Sequence, residues 1–277
     1  MQHIEGKFKV SEGNSLYYQC WMPGKNPTAV LLVVHGLAEH SGRYANIVNY
    51  FVARGYAVYG FDQRGHGRSP GQRGYVERFS HFIDDLDAFL VMICGRHQGA
   101  RVFLVGHSIG GMVATAFAVD YQDKIDGLIL SAPTLKVGVS VSSGLIIVAR
   151  LLSLLLPKMG LYVIDASAIS RDNTVVTSYV NDPLVYRGKI RARLGTELVK
   201  TMRMLPRRMS RISLPLLIMH GTADRLSEPQ GSKMLYDGIN SVNKPLKLYD
   251  GFWHEIFNEP GREQVFKDME VWLAGHI

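Results

Sequence analysis

Residues 102–114 read VFLVGHSIGGMVA. An apolar run leads into Gly106-His107-Ser108-Ile109-Gly110-Gly111, and an apolar, helix-compatible stretch follows. A buried strand that turns at once into a helix forces its turn residue into a crowded, strained backbone conformation. Glycines on either side relieve the crowding and leave the serine hydroxyl standing clear at the strand end. The N-terminal amides of the helix then point at whatever that hydroxyl attacks. The pattern Gly-x-Ser-x-Gly occurs again at Gly67-Arg68-Ser69-Pro70-Gly71. There it lies in a polar, glycine-rich loop beyond the strand ending at Asp62, and no apolar helix follows. Ser69 is therefore read as loop structure and Ser108 as a nucleophile.

Outward from this joint, the chain alternates short apolar runs with helix-length patterns. KFKVSEGNSLYYQCW reads as two strands around a Glu-Gly-Asn turn. AVLLVVHG, YAVYGFD, RVFLVGH, DGLILSA, PLLIMHG and PLKLYDG are strand-like, and most are solid apolar runs, as strands buried on both faces should be. Helical patterns occupy about 44–54, 79–97, 109–121, 228–239 and 262–275. The expectation is an α/β fold: a mostly parallel central sheet of about eight strands with helices on both faces.

A serine hydroxyl needs a base to take its proton and a carboxylate to orient that base. With this elbow the chain order is Ser, acid, His. Only His220, His254 and His276 follow Ser108. His220 ends a strand just before a turn and His276 is next to last, whereas His254 sits in YDGFWHEIF, where a loop can return over the sheet edge. Asp224, in MHGTADRLSEP, lies on a loop at the carboxyl end of a strand, the edge where catalytic groups belong. Asp250 competes by its nearness to His254, but it stands at a strand exit, badly placed to support that ring. For an oxyanion the expected donors are the N–H groups of Ile109 and of Leu37, in VVHGLAEH. His35 and Gly36 are read as shaping that loop.

The chain has 277 residues, 47% apolar and 20% charged, a globular composition. Cys20 and Cys94 show no metal-binding spacing and are read as reduced thiols of a cytoplasmic protein. The N-terminus has no apolar core of signal-peptide length. From Thr134 to Ile212 the strand rhythm breaks. That stretch carries thirteen Lys and Arg against four Asp and Glu, a balance of +9 in a chain whose net charge is +7. The basic excess thus lies entirely in one insertion. Arg207-Arg208-Met209-Ser210-Arg211 has no interleaved aromatic residues for base stacking, so nucleic acid is not expected as a partner.

HGLAEHSGRY, GFDQRGHGRSPGQRG, GHSIGGMVA, LSAPTL, HGTADRLSEPQGS and YDGFWHEIFNE, in that order over nearly the whole chain, resemble the monoacylglycerol lipase branch of the α/β-hydrolases. The resemblance implies the α/β-hydrolase fold, with core segments 1–133 and 212–277 and a cap at 134–211 between the sixth and seventh strands. It implies hydrolysis of a monoglyceride to fatty acid and glycerol without a cofactor or metal. By position it supports Ser108, Asp224 and His254 as a triad and Leu37 and Ile109 as oxyanion donors. It also suggests Glu39, Arg43, His107 and Tyr179 near the glycerol head. Equally, Glu39 and Arg43 could simply pair and hold a loop. Relatives often read H-G-x-G-E-H, where this chain has Ala38.

Residues 137–156, VGVSVSSGLIIVARLLSLLL, hold too many aliphatic positions for a helix with one buried stripe. Either both faces pack inside the protein, or one dips into lipid while nearby cations meet anionic headgroups; the expectation is a mixture. Arg150 interrupts the segment, so it does not read as a membrane span. The protein is thus expected to be cytoplasmic with peripheral membrane contact, a monomer or weak homodimer. The rival readings are a lysophospholipase, a broad-specificity carboxylesterase, and a non-catalytic lipid-binding protein.

Overall fold

The computed structural model describes residues 1–24, 26–136 and 151–277. Of the apolar segment 137–156, residues 137–150 therefore lie outside the described residues. Strands β1 (Gln2–Lys9), β2 (Ser15–Met22), β3 (Val30–Val34), β4 (Ala57–Phe61), β5 (Val102–His107) and β6 (Gly127–Ser131) precede the basic insertion. Two short strands, β7 (Gly160–Tyr162) and β8 (Ile190–Arg191), lie within it, and β9 (Leu216–Gly221) and β10 (Leu246–Tyr249) follow. Eight of these form one sheet in the order β1-β2-β4-β3-β5-β6-β9-β10. The β1–β2 and β2–β4 pairs are antiparallel and all others parallel.

The solid apolar runs have a direct cause. Successive strand residues point to opposite faces, and both faces here are covered. In β3, Leu31 and Val33 join the core beneath α1 (Ala45–Val52) and α7 (Arg262–Ala274), with Phe51, Phe266, Met269 and Leu273. Val30, Leu32 and Val34 join the larger core on the other face. That core packs α2 (Ser80–Arg96), α3 (Ile109–Tyr121) and α6 (Pro229–Gly238) through residues such as Phe89, Val113, Phe117 and Leu235. Full burial of each such side chain contributes roughly 1.5–3 kcal/mol. Helix α3 is buried from Ile109 to Val119, which is why it lacks a polar face.

The insertion, where the sequence shows no run typical of a buried strand, holds two very short strands. β7 and β8 form a two-stranded antiparallel ribbon in which Ile190 is buried. They are too short, and too mixed with Gly160 and Arg191, to stand out as apolar runs. The insertion also holds helical residues 151–155 and helices α4 (Asn173–Asn181) and α5 (Ala192–Met204). It is tied to the sheet-bearing part at several points. Tyr186 N–H donates to Ala38 O (2.8 Å), Glu255 N–H to Ile169 O (2.8 Å), and Phe79 N–H to the Glu197 carboxylate (3.0 Å). His40 Nε2 lies 2.8 Å from Asp182 Oδ2. Among the described residues no helix is long and apolar enough to cross a membrane. Cys20 is buried and Cys94 exposed, both as free thiols.

Candidate active site

β5 ends at His107 and α3 begins at Ile109, so Ser108 alone makes the turn, with φ 55° and ψ −121°. For a residue with a side chain this is strained backbone, costing roughly 1–3 kcal/mol. Close packing over-determines it. A Cβ on Gly110 would stand 2.1 Å from Val34 O, and one on Gly106 2.7 Å from Gly110 O. Only glycines let α3 lie this near β3. Ser108 N–H donates to Ser131 O (3.0 Å), and Ser108 O accepts from the N–H of Thr134 (3.0 Å) and of Met112 (3.2 Å).

Two distant loops meet this serine. Ser108 Oγ lies 2.8 Å from His254 Nε2, and His254 Nδ1 lies 2.7 Å from Asp224 Oδ2. A carboxylate only accepts, so His254 carries its proton on Nδ1, leaving Nε2 to accept from the Ser108 hydroxyl. All three side chains are buried. Burial pushes the Asp224 carboxyl up, but the charge of His254 and hydrogen bonds from His220 and His254 outweigh it and hold the group well below the usual carboxylate range. For His254, burial works against the imidazolium, yet the Asp224 carboxylate, with Glu255 and Glu39 beyond it, raises the ring above its ordinary value. Asp224 Oδ1 also accepts from the N–H of Leu226 (2.8 Å) and Ser227 (3.0 Å). Asp250, the competing acid, is exposed and accepts from Thr222 Oγ1.

The loop after β3 faces the same point. Ile109 opens α3, so its N–H has no carbonyl to reach within the helix. Leu37 lies on the loop opposite and, like Ile109, lines the cavity above Ser108. Ala38 takes φ 69°, the left-handed region, which explains why glycine suits that position in the H-G-x-G-E-H pattern. His35 is fully buried, its Nδ1 2.7 Å from Gly36 O and its Nε2 accepting from Gln63 N–H (2.9 Å). Burial lowers its pKa to about 4, so it is a neutral strut of the loop.

Above Ser108 lies a cavity of about 770 Å³, within the range that holds a small lipid-sized ligand. Its walls are mainly apolar and include Leu152, Leu161, Ile164, Ile169, Leu198 and Met202. Polar lining near the serine comes from Glu39, His107, Thr134, Tyr179, Ser227 and Glu255. His107 is held by Ser131 Oγ (3.0 Å), and burial, with His254 beside it, pushes it down to about 4. Arg43 does not line the cavity. It forks onto Glu255 (2.6 and 2.9 Å), reaches Glu39 (3.0 Å) and lies over the Tyr179 ring at 4.7 Å. Glu39 also accepts from Gly36 N–H (2.6 Å) and the Tyr44 hydroxyl (2.7 Å). This arrangement sets the acidic rim of the cavity and fixes the loop bearing Leu37. Among the described residues, no group of three or more His, Cys, Asp or Glu is placed to hold a metal ion.

Sequence reasoning missed His220, Glu255 and Thr134. His220 Nε2 lies 3.0 Å from Asp224 Oδ2, giving that carboxylate a second imidazole partner. Glu255 adjoins His254 and anchors Arg43. Thr134 Oγ1 lies 3.2 Å from Ser108 Oγ.

Comparison with known proteins agrees with this architecture. A family model described as serine aminopeptidase, S33, matches residues 25–261. The monoacylglycerol lipase of Mycolicibacterium smegmatis is 36% identical over 273 residues, 99% of this chain and 98% of the relative. The crystal structure of Paleococcus ferrophilus monoacylglycerol lipase superposes with a TM-score of 0.83 at 30% identity, over all of both chains. A soluble variant of Saccharomyces cerevisiae monoglyceride lipase, in complex with a substrate analog, gives 0.86 at 26% identity, over 97% of this chain and 94% of that one. The chain belongs to the monoacylglycerol lipase branch of the α/β-hydrolases. In this α/β-hydrolase the basic insertion enters between the sixth and seventh strands of the main sheet, and its residues Ile169, Tyr179 and Leu198 supply part of the cavity wall.

Proposed function

We propose that the protein hydrolyses monoacylglycerols to fatty acid and glycerol through an acyl-enzyme on Ser108. The observation that carries the reading is the continuous hydrogen-bonded line Ser108–His254–Asp224 at the floor of a largely apolar cavity. Ser108 Oγ attacks the ester carbonyl while His254 Nε2 takes its proton. Asp224 holds the ring in the required tautomer and stabilises the imidazolium. The N–H groups of Leu37 and Ile109 receive the oxyanion; losing one such donor typically costs ~3–4 kcal/mol. His254 then gives its proton to the leaving glycerol oxygen. A water activated by the same ring releases the fatty acid and restores the serine.

The acyl chain occupies the apolar walls, where each buried methylene contributes about 0.8 kcal/mol. The glycerol hydroxyls meet the polar rim at Glu39, His107, Tyr179 and Glu255, with Arg43 fixing the two carboxylates from behind. Residues 134–211 act as a cap over the site. Its exposed leucines, with the cations around them, make a transient contact with a membrane surface from which substrate enters. Membership of the branch and the names borne by the two lipases and the yeast enzyme support this choice of substrate.

A second reading, lysophospholipase activity, is favoured by one feature. Arg191, Lys200, Arg203 and Arg225 also line the cavity and would suit a phosphate. Turnover of monooleoylglycerol, lysophosphatidylcholine and a short nitrophenyl ester, with the Ser108→Ala variant as blank, separates the readings. Monooleoylglycerol is expected to be the best substrate; a strong preference for either of the others overturns the assignment.

A further inference from the structure

Ser108 Oγ has two neighbours within hydrogen-bond distance. One is His254 Nε2 at 2.8 Å; the other is Thr134 Oγ1 at 3.2 Å, itself 2.7 Å from Ser227 Oγ. Ser108, Thr134 and Ser227 are all buried, so these hydroxyls satisfy one another rather than water. The direction of each bond follows from counting hydrogens. His254 Nδ1–H donates a hydrogen bond to Asp224, so Nε2 must accept, and the single Ser108 hydrogen points there. The Ser108–Thr134 bond is then donated by Thr134. Thr134 has no hydrogen left for Ser227, so Ser227 donates to Thr134. Ser227 N–H in turn donates to Asp224 Oδ1 (3.0 Å). The result is a closed circuit in which the Thr134 proton points at the oxygen of Ser108.

The backbone holds Thr134 in that place. It lies three residues past the end of β6, and Ala132 between them takes φ 45°, a left-handed turn that carries the chain back over the elbow. Ala132 N–H is fixed to Met219 O (2.8 Å), and Thr134 N–H to Ser108 O (3.0 Å). A donor held so firmly needs no reorganisation when charge appears in front of it.

We propose that Thr134 is a further catalytic residue, a hydroxyl donor to the nucleophile oxygen itself, distinct from the oxyanion donors. The proposal rests on the assignment of Ser108 as nucleophile. In acylation the Ser108 O–H bond breaks, its proton goes to His254 Nε2, and one Oγ lone pair forms the bond to the ester carbon. Thr134 keeps its proton and holds the other lone pair. In deacylation the Oγ–acyl bond breaks, the electron pair returns to Oγ, and His254 returns a proton. Oγ is most negative in these two transition states, and a bond that strengthens only there raises kcat without tightening substrate binding.

Thr134→Val keeps the size and removes the donor; Thr134→Ser keeps the donor and removes the methyl group. On a soluble nitrophenyl ester, the valine variant is expected to lose about 10- to 100-fold in kcat, the range for one hydrogen bond to a charged group. Its KM should stay within about twofold, and the pre-steady-state burst and the steady state should both slow. The serine variant should remain within about threefold of the parent. If the valine variant does not fold by circular dichroism, Thr134→Ala serves as the donorless variant with the same expectation. A folded donorless variant at the parental rate overturns the proposal, as does a folded serine variant as impaired as valine. Ser108→Ala separates the two assignments. If it still turns over ester, the nucleophile reading falls and this proposal with it; if it is inactive while Thr134→Val is unimpaired, this proposal alone falls.

Discussion

At the scale of single residues, the proposed mechanism requires His254 to be neutral when the ester arrives. The Asp224 carboxylate raises the pKa of that ring above its ordinary value of 6.5 despite complete burial. A base works unprotonated, so kcat/KM should be full above the raised value and fall as pH drops through it. The pH–rate profile on a soluble ester is therefore expected to show an acid limb with an apparent pKa above 6.5. Asp224→Asn removes the charge and frees the ring to take the wrong tautomer, so kcat should fall by about 10⁴-fold. Any residual activity should have its acid limb shifted to lower pH. An Asp224→Asn rate within tenfold of the parent would contradict the role given to this carboxylate. That Ser108, His254 and Asp224 meet was legible in the sequence because strand ends and chain order constrain them. His220 was not: its contact with Asp224 arises from the tight turn after β9, and a histidine at a strand end carries no mark of what that turn brings near. Glu39 and Arg43 could be read as an ion pair, but the third member, Glu255, lies 212 positions along the chain from Arg43, beyond local spacing.

At the scale of elements, the elbow exists because β3, β5 and α3 approach to backbone contact. Two helical glycines test this by contrast. Gly110, in α3, has Val34 O 2.1 Å from where a Cβ would sit; Gly95, in α2, has nothing within 4 Å. Gly110→Ala must push the helix off the sheet, and overpacking of this kind costs typically 1–3 kcal/mol. For a chain of this size that corresponds to a fall in Tm of about 2–12 °C. Gly95→Ala adds no clash and reduces the freedom of the unfolded chain, a gain of roughly 0.4–1 kcal/mol and about 1–4 °C. Differential scanning fluorimetry reads both, and equal shifts would contradict the close-approach argument. Strand order could not be read residue by residue, but most of the buried strands announced themselves by a solid apolar run because helices cover both faces. β7 and β8 gave no such signal. They are short, and of their residues Ile190 alone is buried.

At the scale of the whole molecule, charge and exposed apolar surface coincide. The insertion carries the +9 balance, and the same segment exposes Leu151, Leu154, Leu155, Leu156, Leu161 and Tyr162. Leu154 and Leu155 are 70% and 77% exposed, so removing them costs the folded chain little. Leu152, Leu161 and Tyr162 meanwhile line the cavity, which places this apolar rim at the entrance to the site. A surface that lowers these leucines into lipid gains roughly 1.5 kcal/mol for each one buried. Leu154→Ser and Leu155→Ser should then each weaken binding to vesicles by about 10-fold. Turnover of monooleoylglycerol presented in vesicles should fall with it, while hydrolysis of a short nitrophenyl ester in solution stays unchanged. Raising salt from about 0.1 M to about 1 M shortens the Debye length from about 10 Å to about 3 Å. It should therefore weaken binding to anionic vesicles and leave binding to neutral ones nearly untouched. If both serine variants sediment with vesicles as the parent does, the rim packs within the protein rather than on lipid. If instead they lose activity on the soluble ester, the rim shapes the cavity rather than the membrane contact. Vesicle sedimentation and the two-substrate comparison together separate these outcomes.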